Sequence, residues 1–134
     1  GSQRRVTNSM SSSSLGKQFG DCYRTAFRTC MDFEKEGREN ISVVHATVPM
    51  MMEGRNLGHA WVEYDKPTNG GTQRMVVDRD NAYEGVAEDY YGAFESLGLG
   101  GVQDARSYSP TEYMDRMARS IRENTPPFGP WDDE

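Results

Sequence analysis

Three residues, in chain order, could share one chemistry. They are Cys22 in Phe19-Gly20-Asp21-Cys22-Tyr23, His59 in Gly58-His59-Ala60-Trp61-Val62-Glu63, and Asp78 in Val76-Val77-Asp78. A thiol, an imidazole and a carboxylate are the parts of a thiolate nucleophile, the base that takes its proton and the group that orients the base. Each also has a structural reading alone. A cysteine near a helix start is usually a small buried hydrophobe, a strand-end histidine is usually structural, and an Asp closing a strand is a turn residue. The joint reading depends on the elements that carry them.

The spacing predicts a first helix from Cys22 to about Glu36. Asp21 is its N-cap, Gly37 its stop, and Cys22, Ala26, Phe27, Cys30, Met31 and Phe33 its apolar stripe. Cys22 then lies in the first turn, where unpaired N–H groups and the positive dipole end favour a thiolate. The Cys22 amide is the expected oxyanion donor. Gln18 reads either as a second donor or as a solvated loop residue. Cys30 lies about 12 Å further along the helix and reads as core, so the two cysteines cannot pair while that helix is intact.

Three Val-rich strands are expected over Ile41 to Met50, Gly58 to Tyr64 and Gln73 to Asp78, joined by connections short enough for antiparallel hairpins. Pro49 places the far end of the first strand at an edge or in frayed chain. A register with His59 opposite Asp78 also sets Trp61 against Val76, Glu63 against Arg74, Ala60 against Val77, Val62 against Met75 and Tyr64 against Gln73. It matches apolar with apolar and acid with base. Sliding by two residues, to bring Asp80 opposite His59, loses those matches. Asp78 is therefore the expected orienter and Asp80 the fallback. In the first hairpin a tight turn brings Met50 near His59 and leaves His45 roughly 16 Å away, so His45 reads as structural. Tyr23, Trp61 and Met50 are candidates to line a pocket, with core packing the alternative.

Helical periodicity returns over Val86 to Leu97, with Tyr90, Tyr91, Phe94 and Leu97. The last helix has the clearest start: Ser109 as N-cap, Pro110 as first residue and Glu112 as capping-box partner, with Met114, Met117, Ala118 and Ile121 as the expected buried stripe. Pro126, Pro127 and Pro130 end it, and Trp131 is expected to fold back. Residues 1–14 read as a disordered tag or tail and residues 15–134 as a single domain.

A formal charge of −6 disfavours a nucleic-acid partner. No apolar run reaches the roughly 20 residues that span a bilayer, so no membrane partner is expected. Free thiols suit a reducing cytosol, and a cytoplasmic protein is expected. No cofactor is called for. Metal binding is disfavoured because Cys22, His59 and Asp78 supply only mixed ligands without a close-spaced pair.

The order of Cys at a helix start, His opening His59-Ala60-Trp61-Val62-Glu63 and Asp ending Val77-Asp78 resembles the transglutaminase-like branch of the papain-like cysteine peptidase superfamily, including the small leader-peptide proteases of lasso-peptide pathways. The resemblance covers roughly residues 19 to 80. It implies an α+β papain-like core, with the Cys helix packed on a small antiparallel sheet and further helices at the C-terminus. Cys22 would be nucleophile, His59 base and Asp78 orienter. Nearly the whole folded chain also resembles a group of small proteins carried by phages and prophages. The matching pieces are Cys22-Tyr23, Val44-His45-Ala46, Gly58 to Glu63, Val77-Asp78, Tyr90-Tyr91, Tyr108 to Glu112 and Phe128-Gly129-Pro130-Trp131. This implies phage origin and action in the host cytoplasm, and brings no substrate with it. Two departures stand: Arg79 follows the acid where transglutaminase-like proteins usually have Pro, and Gln18 lies closer to the Cys than the oxyanion Gln of papain-like peptidases.

Two functions follow as expectations. One is a cysteine-dependent hydrolase or acyl transferase, of peptidase, deamidase or amidase type, acting on a protein or peptide substrate. The other is a catalytically idle papain-like scaffold that binds a host protein through its acidic surface, the aromatic helix and the Pro-rich tail.

Overall fold

Helix α1 spans Leu15–Lys35, starting seven residues before Cys22. The structure, a computed structural model, describes residues 15–50 and 55–131, with the side chains of residues 15–20, 50 and 55 outside the description. The expected N-cap at Asp21 is thus corrected, because helical backbone continues through it to Leu15. The stripe below it holds in part, with Phe27 and Met31 only half-buried. Cys22, Ala26, Cys30 and Phe33 are buried, and Thr29 joins them by bonding its hydroxyl to the Thr25 carbonyl at 2.8 Å.

Strands β1 (Glu39–Met50), β2 (Arg55–Thr68) and β3 (Gly71–Asp78) form antiparallel neighbours. Strand β4 (Tyr83–Val86) pairs beside β3, and β5 (Gln103–Tyr108) beside β1. The sheet order is β4-β3-β2-β1-β5, antiparallel throughout. The β2–β3 register is two residues away from the expected one: Val62 faces Val77, Glu63 faces Val76 and Asp65 faces Arg74. The turn decides this. Thr68 pairs with Gly71, so Asn69-Gly70 makes the whole reversal, with Gly70 at φ +92°. Arg74 then bonds Asp65 at 3.0 Å directly across and still reaches Glu63 at 3.3 Å on the diagonal. Because the slip is even, every side chain keeps its face.

The first hairpin also differs. Ala46 lies opposite His59, His45 opposite Ala60 and Met50 opposite Arg55, so the expected approach of Met50 to His59 along the strand is corrected. His45 is excluded from the site by its face rather than by distance along the strand.

Each face of the sheet carries a core. On one, α1 and helix α3 (Pro110–Arg122) cover Val43, Ala60, Val62 and Val77, with Tyr113 and Trp131. On the other, helix α2 (Ala87–Glu95) covers Val44, Val48, Trp61 and Val76 through Tyr90. Strands β4 and β5 were not expected. Gln103 to Ser107 are all exposed, so β5 is an edge strand without the apolar alternation that marks a half-buried one.

Helix α3 starts as expected, with both capping-box bonds made. Its buried face is corrected to Tyr113, Met117 and Ser120, while Met114 is 45% and Ile121 65% exposed. The Tyr113 hydroxyl donates to the Phe128 carbonyl at 2.6 Å, and its ring packs on Trp131 at 5.2 Å, which sets the helix rotation. Trp131 folds back onto the core, 4% exposed. Among the described residues no helix is long and apolar enough to cross a membrane.

Candidate active site

Strand β3 ends at Asp78 and the chain leaves the sheet through a 3-10 turn, Arg79–Asn81. The last residue of β2 paired with β3 is Val62, so His59 has β1 on one side and no β3 strand on the other. The turn packs against α1, and Arg79 ties it there through Asp32 at 3.1 Å. The opening left by the end of β3 is where α1, β2 and the turn meet.

At that point His59 Nε2 donates to Asp78 Oδ2 at 2.8 Å, and the His59 ring is also hydrogen-bonded to the Cys22 thiol. With Nε2 engaged by Asp78, Nδ1 is the nitrogen left for the thiol. All three side chains are buried, with residue exposures of 2% for Cys22, 5% for His59 and 1% for Asp78. The expected set therefore assembles, although the register that suggested it does not. By strand count Asp80 is the residue opposite His59. The turn carries Asp80 to the surface instead, while Asp78 reaches His59 across the diagonal of the pair.

The charges support one another. Burial works against a charged His59 ring, but hydrogen bonds to Asp78 and Cys22 and their charges outweigh it, and the imidazole is pushed up to about 10. Burial also works against the Asp78 carboxylate, yet bonds from His59, Tyr90 and Asn81 hold its pKa below the usual carboxylate range. Cys30 has no such support. Burial, with the Glu34 charge, pushes its thiol up to about 11.

The position of Cys22 differs from expectation in one chemical respect. An interior helical N–H is bonded to the carbonyl four residues back, so the Cys22 amide is not the open oxyanion donor that a first-turn residue would offer. The Gln18 and Met50 side chains lie outside the described residues. Trp61 is core, 1% exposed, with Nε1 donating to Glu63 Oε2 at 3.0 Å. Tyr23 is buried, yet it lines a cleft of about 340 Å³ with Gly58, His45, Thr47, Arg106 and Pro130, next along the chain from the nucleophile and the base. The hollow directly under Cys22 and Asp78 has no room for water.

Sequence reasoning missed Tyr90 and Asn81. The Tyr90 hydroxyl donates to Asp78 Oδ2 at 2.5 Å, and Asn81 Nδ2 does so at 2.8 Å. Asp78 with Asn81 three residues on was a readable cap spacing. Tyr90 gave none, because it comes from α2, a separate element that only packing brings to the carboxylate. His45 lies in a separate aromatic cluster, its Nε2 3.3 Å from the Tyr113 hydroxyl. Among the described residues no group of three or more His, Cys, Asp or Glu is arranged to hold a metal ion. Compared with known protein families, curated proteins and solved structures, the chain matches none.

Proposed function

We propose that the chain is a phage-borne cysteine-dependent hydrolase or acyl transferase, with a papain-like, transglutaminase-like core, acting on an amide or isopeptide bond of a protein or peptide. The observation that supports it most is the continuous hydrogen-bonded line Cys22–His59–Asp78 with the carboxylate held ionised. Cys22 gives its proton to His59 and its sulfur attacks the carbonyl carbon. The C–N bond breaks as the imidazolium returns the proton to the leaving amine, and water or a second amine resolves the thioester. Asp78 keeps the Nε2 proton in place and turns Nδ1 towards the thiol, so that the imidazolium formed when Nδ1 takes the Cys22 proton is stabilised beside the sulfur.

The experiment is alkylation of the folded protein by iodoacetamide at pH 6, with Cys22 and Cys30 resolved by mass spectrometry. Cys22 is expected to react several-fold faster than a free thiol such as N-acetylcysteine, and His59→Gln to abolish the advantage. Cys30 is expected to stay unmodified. No advantage at Cys22 sinks the enzyme reading. The second reading, an idle scaffold that binds a host protein, draws support from the 2% exposure of Cys22 and its interior helical position. It predicts that Cys22→Ala retains host-protein capture and the biological effect.

A further inference from the structure

Asp78 accepts more hydrogen bonds than its place in the chain explains. As the cap of the 3-10 turn it needs one bond, from the Asn81 N–H to Oδ1 at 3.3 Å. The other oxygen, Oδ2, gathers three side-chain donors: His59 Nε2 at 2.8 Å, Asn81 Nδ2 at 2.8 Å and the Tyr90 hydroxyl at 2.5 Å. Tyr90 is itself fixed, 4% exposed, with Trp61, Tyr83 and Phe94 each 5.0 Å from its ring. Asn81 Nδ2 also lies 3.3 Å from His59 Nε2. Helix α2 thus places one donor at Asp78 and the turn places another.

We propose that Tyr90 and Asn81 are positioning residues that clamp the Asp78 carboxylate in one orientation and in its ionised form, so that it faces His59 Nε2 and no other rotamer competes. The inference rests on the reading of Cys22, His59 and Asp78 as a catalytic set. A buried carboxylate held by several donors stays charged where a lone one would take up a proton, and a charged Asp78 is what keeps the His59 ring protonated beside the thiol. The other groups facing this carboxylate are Cys22 from α1 through His59, and Asp80 on the turn, which itself faces Asp21 of α1.

The test is titration of the Asp78 carboxyl carbon by ¹³C NMR in the whole protein, wild type against Tyr90→Phe and Asn81→Ala, with Tyr83→Phe as control. Tyr83 shares the aromatic cluster, but its hydroxyl bonds the Val86 carbonyl rather than Asp78. Loss of one donor to a charged group moves the Asp78 midpoint up by about one pH unit in each of the first two variants and leaves it in place in the control. A merely structural role would lower thermal stability without moving that midpoint. If both folded variants titrate as wild type, the clamp is overturned. Should Tyr90→Phe fail to fold, Asn81→Ala decides alone, since Asn81 is exposed. Cys22 alkylation on the same samples separates the two levels: a wild-type Cys22 no faster than a free thiol overturns the catalytic reading and the clamp with it, whereas a fast Cys22 with unshifted variants overturns the clamp only.

Discussion

Gly58 precedes His59 and Tyr23 follows Cys22, and the two touch. A Cβ on Gly58 would lie 2.6 Å from the Tyr23 hydroxyl oxygen, with the next ring atom at 3.9 Å. Ordinary contact between heavy atoms is about 3.5–4.0 Å, so Gly58→Ala creates an overlap of roughly 1 Å. Tyr23 cannot swing away cheaply: it is 3% exposed, and its ring stands edge-on to His45 at 4.8 Å. Overpacking of this kind costs about 1–3 kcal/mol, and removing a strand glycine with ordinary φ returns about 0.4–1 kcal/mol through the unfolded chain. A net loss of about 1–2 kcal/mol is expected. The strain is relieved by moving β2 off α1, which lengthens the Cys22–His59 contact and slows Cys22 alkylation. In a Tyr23→Phe background the clashing atom is gone, so Gly58→Ala becomes neutral or slightly stabilising. Urea unfolding of the four proteins of this cycle, followed by tryptophan fluorescence, should give a coupling of about 2 kcal/mol. An equal loss in both backgrounds would refute the clash.

Glu63 is 8% exposed and accepts from Trp61 Nε1 at 3.0 Å, Tyr91 hydroxyl at 2.6 Å and Arg74 Nε at 3.3 Å. Glu63→Gln turns one acceptor into a donor facing another donor, which should cost about 1–3 kcal/mol in urea unfolding; a loss under about 0.5 kcal/mol contradicts the network. The His59 shift also makes stability depend on pH. Its folded pKa, about 10, lies above the unfolded value near 6.5, so its contribution is fully present below about pH 6.5 and lost as pH rises through about 10. The stability gap between wild type and His59→Gln should therefore narrow between pH 7 and 11, and a constant gap rules out the coupling. Asp78 acts with the opposite sign: its contribution is present above the ordinary carboxylate range and lost as pH falls through its lowered folded value.

Much of the helical part of the fold was legible because helix signals are local. The Ser109-Pro110-Thr111-Glu112 box marked the start of α3 without any knowledge of the sheet. The rotation of that helix was not legible, since both Met114 and Tyr113 fit an apolar face and only the Phe128 carbonyl and Trp131 ring chose Tyr113. Asp21 read as a cap because its side chain suits one, and nothing adjacent marks a cap as unused. In the sheet, Asn69-Gly70 was the readable signal for the β2–β3 register, and side-chain matching pointed instead to a pairing two residues away. Both choices keep His59, Trp61, Glu63, Asp78 and Arg74 on one face, so the error left the site's membership intact.

The sequence by itself determined which chemical groups exist and which face of which element each belongs to, because the periods of helix and strand are properties of the local backbone. It preferred Cys22 to Cys30 by an expected first-turn position, His59 to His45 by distance along an expected hairpin and Asp78 to Asp80 by an expected register, and the structure brings the three together on other grounds. The end of β3 at Asp78 was expected from the sequence; tertiary structure alone decided that the turn after it packs on α1, so that a thiol from α1 and a histidine from the α2-facing side of β2 meet. It alone brought Tyr90 from α2 to the carboxylate. Contacts between elements distant in sequence depend on how whole layers pack, and no local pattern encodes that distance.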